Sequence, residues 1–138
     1  RDLIDELQLN DRVKMIGMVE DRQLLKRYFA AADMFLFPSL YDNAPLVVRE
    51  AAAMHTPSLL LADSTAAEVV KDRSNGFLSP NDTQSYANIL QYLIEHPDVI
   101  AQVGDKAAST IARPWEDVMN EVILRYADIR KHFARRYY

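Results

Sequence analysis

Two short apolar runs constrain this chain most: residues 34–37 (MFLF) and the three leucines inside residues 56–62 (TPSLLLA). A strand with one wet face alternates apolar and polar residues. An unbroken run of this length instead fits a strand covered on both faces, the arrangement of a parallel sheet between two helical layers. The segments around these runs agree. Residues 12–17 read as a strand entering a loop, and residues 21–32 follow with helical spacing that puts Leu24, Leu25, Tyr28 and Phe29 on one side. Residues 45–54 read as a helix with Pro45 in the first turn, where a missing N–H costs nothing. Residues 66–70 make a short helix, and residues 75–78 (NGFL) a turn followed by a brief strand. This alternation predicts an α/β fold with right-handed crossovers: a parallel sheet of about four strands, helices on both faces.

The last third reads as all helix. Tyr86, Ile89, Leu90, Leu93 and Ile94 lie at helical spacing, with Asp82 or Thr83 as the start signal and Pro97 as the stop. A second helix carries Val99, Val103, Ala107 and Ile111. A long third one carries Trp115, Val118, Met119, Val122, Tyr126, Ile129 and Phe133 on one stripe, with Trp115 expected as a core anchor. Residues 1–10 resemble the end of a helix, and an open doubly wound sheet usually has more than four strands. The 138 residues are therefore expected to form a single domain that is part of a larger one.

Composition removes several function classes. With no cysteine there is no disulfide framework, thiolate metal site or cysteine nucleophile. No apolar run reaches the length of a membrane span, which points to a cytoplasmic location. The formal charge of −4 is unevenly spread: residues 125–138 carry +4 and the rest −8. A basic nucleic-acid binder is thus not expected. The basic end (Arg130, Lys131, His132, Arg135, Arg136), interleaved with Phe133, Tyr137 and Tyr138, reads as a solvated helix terminus or as a peripheral contact with anionic lipid at the inner membrane face. His55, His96 and His132 are isolated, so no metal is expected. Three glycines, at 17, 76 and 104, are too few and too scattered for a phosphate loop or a dinucleotide fingerprint.

In open parallel sheets ligands bind beyond the carboxyl ends of the strands. The richest segment there is Pro38-Ser39-Leu40-Tyr41-Asp42-Asn43-Ala44, which leads into the helix opening at Pro45. Free N–H groups and the positive dipole end of a helix make an anion site. Asp42 precedes that site and Glu50 lies about one and a half turns into the helix. Two carboxylates would repel a phosphate they faced, but they suit hydroxyl groups flanking it, as on a sugar and a ribose. Each also has a plainer reading: Asp42 with Asn43 as a turn and N-cap pair, Glu50 as a solvent-exposed helical residue. Glu50 has Val47, Val48, Ala51, Ala52 and Ala53 around it, so a charge there calls for a partner. Thr65 and Glu68 have capping-box spacing.

The run PSLYDNAPLVVREAAAMHTPSLLLADSTAAEVVKDRSNGFLSPND resembles the signature region of retaining glycosyltransferases of family four, the "group one" class. LQLNDRVKMIGMVEDRQLLKRYFAAADMFLFPS resembles the strand–helix–strand before it, and RPWEDVMNEVILRY the terminal helix, so the resemblance covers nearly the whole chain. It implies the later part of a C-terminal, Rossmann-like donor-binding domain of the two-domain glycosyltransferase B architecture. In that family two glutamates eight positions apart bracket the donor. The second maps onto Glu50, at the ribose hydroxyls, and the first onto Asp42, one methylene shorter, at the transferred sugar. Asn43, Ala44 and Leu46 would line the sugar, Val47 the nucleotide, and the backbone near Met18 and Val19 the base. His55 stands where the family has glycine before Thr-Pro, and Thr65-Ala66 replaces a glycine pair.

The resemblance further implies a metal-independent hexosyltransferase, without cofactor, using a nucleotide-diphosphate sugar such as a UDP-sugar. Its acceptor would be a glycolipid, polysaccharide or protein. No catalytic residue is assigned within this chain. The phosphate-binding cations and an N-terminal acceptor domain would precede residue 1, and the chain alone is expected to be inactive. Two strands would lie between residues 12–17 and 34–37, leaving a sheet edge able to pair with a second copy. The alternatives are a noncatalytic glycosyltransferase-like partner subunit and a nucleotide-sugar epimerase of the same architecture.

Overall fold

The computed structural model describes residues 2–42 and 46–137, with side chains through residue 133. A short helix, α1 (Asp2–Glu6), leads into residues 13–20, which form neither helix nor strand. Then come α2 (Arg22–Ala31), β1 (Phe35–Phe37), α3 (Leu46–Ala53), β2 (Ser58–Leu61), a 3-10 turn (Thr65–Val69) and β3 (Phe77–Ser79). Three helices finish the chain: α4 (Thr83–Glu95), α5 (Pro97–Thr110) and α6 (Trp115–Tyr137).

The sheet is parallel, as expected, in the order β1-β2-β3. It has three strands among the described residues, not four. Residues 12–17 join no ladder, and Val13, Met15 and Ile16 are exposed. A strand exists only through its neighbours' hydrogen bonds, and no neighbour pairs with this segment. β1 is accordingly an edge, with Leu36 45% exposed.

The double covering read from MFLF and LLL is met at β2. Successive side chains on a strand point to opposite faces. Leu60 enters one cluster with Val48 and Ala52 of α3, Ala66 and Val70 of the 3-10 turn region, and Ala107 and Ile111. Leu59 enters the other with Phe77, Leu93 of α4 and Val103 of α5. Both leucines are fully buried. Thr56, also buried, donates its hydroxyl to the Phe29 carbonyl (2.6 Å) and so ties the end of α2 to the entry of β2. Phe29 meets Phe35 edge-on, ring centroids 5.3 Å apart.

Helix starts follow the sequence. Asp21 caps α2 by accepting from the Gln23 and Leu24 N–H groups, and Asp82 caps α4 by accepting from Ser85. Hydrogen bonds from the Ser85 hydroxyl and then its N–H hold the Asp82 carboxyl below its ordinary range. α5 packs so closely that Gly104 lies against the His55 backbone.

Two expectations fail. Trp115 is not a core anchor: it is 73% exposed at the start of α6, just after Pro114. Ile94, on the α4 stripe by spacing, is also exposed.

Candidate functional site

β1 ends at Phe37, and residues 38–42 follow from its carboxyl end, ahead of α3 in the chain. Its conformation is set from β2's side. Thr65, just past β2, donates its hydroxyl to the Asp42 carbonyl (2.5 Å) and accepts from the Asp42 N–H (2.9 Å). The Thr65 N–H reaches the Leu40 carbonyl at 3.4 Å. Ser39 bonds the Tyr41 carbonyl within the loop. One side chain thus satisfies both backbone groups of Asp42 and leaves its carboxylate free of that clamp. The buried Ser64 hydroxyl turns back to Leu61 (2.7 Å) and steadies the turn that carries Thr65.

The capping box read from Thr65 and Glu68 does not form. Ser64 occupies the N-cap position without a side-chain cap bond, and the Thr65 hydroxyl is committed to Asp42.

On α3, Val48, Ala51 and Ala52 face the core, while Leu46 is exposed and Val47 and Glu50 are half-buried. Leu46 and Glu50, four residues apart, share one face of the helix. The partner that Glu50 needed is Arg22, at the first position of α2, 3.6 Å from its carboxylate. The pair is open to solvent, with Arg22 80% and Glu50 33% exposed, so it contributes at most about 1 kcal/mol. Arg49 turns the other way and donates to the Ile111 carbonyl (2.9 Å), joining α3 to the end of α5.

Asp42 is thus fixed by Thr65 in the loop after β1, and Glu50 lies within α3. The α2 start is brought against Glu50 through Arg22. Val19 is three residues before Arg22, a tether of at most ~10 Å. Met18 is exposed and Val19 half-buried in that segment. Asn43, Ala44 and Pro45 lie outside the described residues, and the reading of Asn43 and Ala44 with them. No group of three His, Cys, Asp or Glu side chains among the described residues could hold a metal ion.

Sequence reasoning missed Thr65 as a loop clamp and Arg22 as the Glu50 partner. Neither leaves a local signal: the pairs are separated by 23 and 28 positions.

Known proteins resemble this chain. The family described as "Glycosyl transferases group 1" matches residues 1–110. The exopolysaccharide phosphotransferase of Streptomyces coelicolor is 30% identical over 98% of this chain, and a D-inositol 3-phosphate glycosyltransferase of the same organism 33% identical over 77%. The chain spans only 15% and 23% of those two relatives. Among solved structures, a sucrose-phosphate synthase of Thermosynechococcus elongatus superposes with a TM-score of 0.79 at 28% identity, over 96% of this chain and 33% of that one. Anabaena HepE, in complex with UDP and glucose, gives 0.74 at 26% identity, over 92% and 35%. These matches establish that the chain belongs to the group 1 glycosyl transferases.

Proposed function

We propose that this chain is the donor-binding part of a retaining hexosyltransferase that uses a nucleotide-diphosphate sugar. One observation carries the reading: Thr65 clamps the backbone of Asp42 in the loop after β1, ahead of the helix that carries Glu50. The first N–H groups of a helix have no partner inside it and sit at its positive end. Those of Leu46 and Val47 can therefore meet a pyrophosphate without a metal ion. Glu50 would accept hydrogen bonds from the ribose hydroxyls, and Asp42 from the sugar. Met18 and Val19 would offer backbone to the base. The weak, exposed pairing with Arg22 supports this, because ribose can take over Glu50 at small cost. UDP and glucose bound to HepE make UDP-glucose the first donor to try.

None of these residues is given a nucleophile's role. Their work is to orient the donor and spread its leaving charge. In this reading the phosphate cations, the acceptor site and the two strands beside β1 belong to the rest of the parent enzyme, and the 138-residue chain alone has no turnover. The parent is read as acting on a glycolipid, polysaccharide or protein acceptor in the cytoplasm or at its membrane face. Among the described residues no helix is long and apolar enough to cross a membrane.

The test is calorimetric titration of UDP, ADP, GDP and UDP-glucose into the parent protein, with Glu50→Ala beside it. Micromolar binding to one nucleotide, weakened at least about tenfold by Glu50→Ala, is expected. Absence of binding to all of them, or equal binding by the variant, would overturn the donor-site reading. A noncatalytic module is then the better account. One observation favours it: the relative matched over 98% of this chain is named for phosphotransfer and is much longer.

A further inference from the structure

Arg49 and Glu50 are neighbours in α3, yet each is drawn to a different element. Glu50 meets Arg22 at the start of α2, at 3.6 Å and open to solvent. Arg49 leaves the helix about 100° away around the axis. It is half-buried and donates from Nη1 to the Ile111 carbonyl at 2.9 Å. Ile111 closes α5 and is only 2% exposed, so its carbonyl has little access to water. A carbonyl at a helix end has no partner inside the helix and sits at the negative pole of the dipole. The guanidinium meets both needs, through a charged bond to a buried acceptor.

The apolar face of α3 fixes its roll poorly. Its buried residues are Val48, Ala51 and Ala52. Alanine offers a single methyl group, so two of these three give a neighbouring element little to interlock with. Arg22 adds weak resistance, because its pairing is exposed and longer than a hydrogen bond. A roll of about 10° carries a carboxylate that lies roughly 6 Å from the helix axis by about 1 Å. That stretches a hydrogen bond of about 2.8 Å beyond its useful length. Arg49 opposes such a roll from the position next to the group it would displace.

We infer that Arg49 is a positioning residue: its bond to the end of α5 sets the roll of α3 and thereby aims the Glu50 carboxylate at the ribose hydroxyls. This role rests on the donor-site reading above. In that reading Arg22 gives up Glu50 when the nucleotide arrives, whereas Arg49 keeps its own bond and holds α3 in the same orientation. Arg49 is assigned no contact with the nucleotide.

The test is titration of UDP and 2′-deoxy-UDP into the parent protein carrying Arg49→Met, Glu50→Ala or both, with circular dichroism to show that each variant folds. Arg49→Met keeps the stem of the side chain and removes its donors. It should weaken UDP about tenfold and 2′-deoxy-UDP by less, because the lost aim is felt at the hydroxyl that Glu50 receives. Added to Glu50→Ala, it should change UDP affinity by less than about twofold, since the group it aims is gone. Arg49→Lys keeps the charge and one donor, so the loss should shrink to about threefold. If Arg49→Met does not fold, Arg49→Lys takes its place in the same cycle. Unchanged UDP affinity in Arg49→Met beside a loss in Glu50→Ala would overturn the role of Arg49 and leave the donor-site reading standing. Equal losses from Arg49→Met with and without Glu50→Ala would do the same, as the mark of a general loosening of the fold. Unchanged affinity in Glu50→Ala would sink the donor-site reading, and the role of Arg49 with it.

Discussion

Gly104 sits in the middle of α5, where helix propensity argues for alanine by about 1 kcal/mol. The structure predicts the opposite sign. A Cβ at this position would lie 2.2 Å from the His55 carbonyl oxygen and 3.2 Å from Pro57 Cδ. A carbon and a carbonyl oxygen meet no closer than roughly 3.3 Å, so α5 must retreat by about 1 Å. Val103, Ala107 and Ile111 of that helix region are at most 3% exposed and pack on both layers of the core. A gap of that size removes a quarter to a half of their contact energy, a loss of about 3 kcal/mol in all. After the propensity gain, Gly104→Ala should cost about 2 kcal/mol and lower Tm by about 6–10 °C. Urea unfolding followed by circular dichroism, with calorimetry for Tm, measures it. A variant as stable as the parent, or more so, would show that α5 is free to move and that local propensity decides.

Further outcomes follow from single contacts. Thr65→Val keeps the shape but removes both bonds to the Asp42 backbone, so nucleotide affinity should fall about tenfold for a stability loss of about 1 kcal/mol or less; unchanged affinity in the same titration would separate the clamp from the site. His55 holds a left-handed backbone (φ 62°), and its exposed pair with Asp105 (2.8 Å) is weak, so His55→Gly should gain about 0.5 kcal/mol in urea unfolding, and a loss would refute the strain argument. Burial pushes the Tyr86 hydroxyl from its ordinary 10.0 up to about 12, opposed only in part by the Phe37 backbone. Its contribution is therefore complete below pH 10 and lost as pH rises through about 12. Tyr86→Phe should weaken the fold by about 1 kcal/mol at neutral pH, through the lost bond to the Leu59 carbonyl, yet flatten the alkaline decline. Equal alkaline slopes in the two proteins would count against that assignment.

The sequence by itself determined the elements whose causes are local. LLL became a parallel strand buried between two layers, and MFLF a parallel strand at the edge of the same sheet. Asp21 and Asp82 start helices because a carboxylate one step before a helix meets its free N–H groups. The helix that carries Glu50 was legible from the apolar residues around it. Tertiary structure decided everything that depends on a distant partner. Residues 12–17 have a strand's composition but no ladder, since that ladder must be supplied by another segment. Trp115 has an anchor's chemistry but stands exposed. Thr65 reads locally as a cap and acts instead on a loop 23 residues away, and Arg22 reaches Glu50 across 28. Gly104 looks like a weak spot in a helix until the His55 carbonyl is found 2.2 Å from where its Cβ would be. Capping and periodicity are written over three or four neighbouring positions, whereas these pairings arise only when packing brings separate elements together.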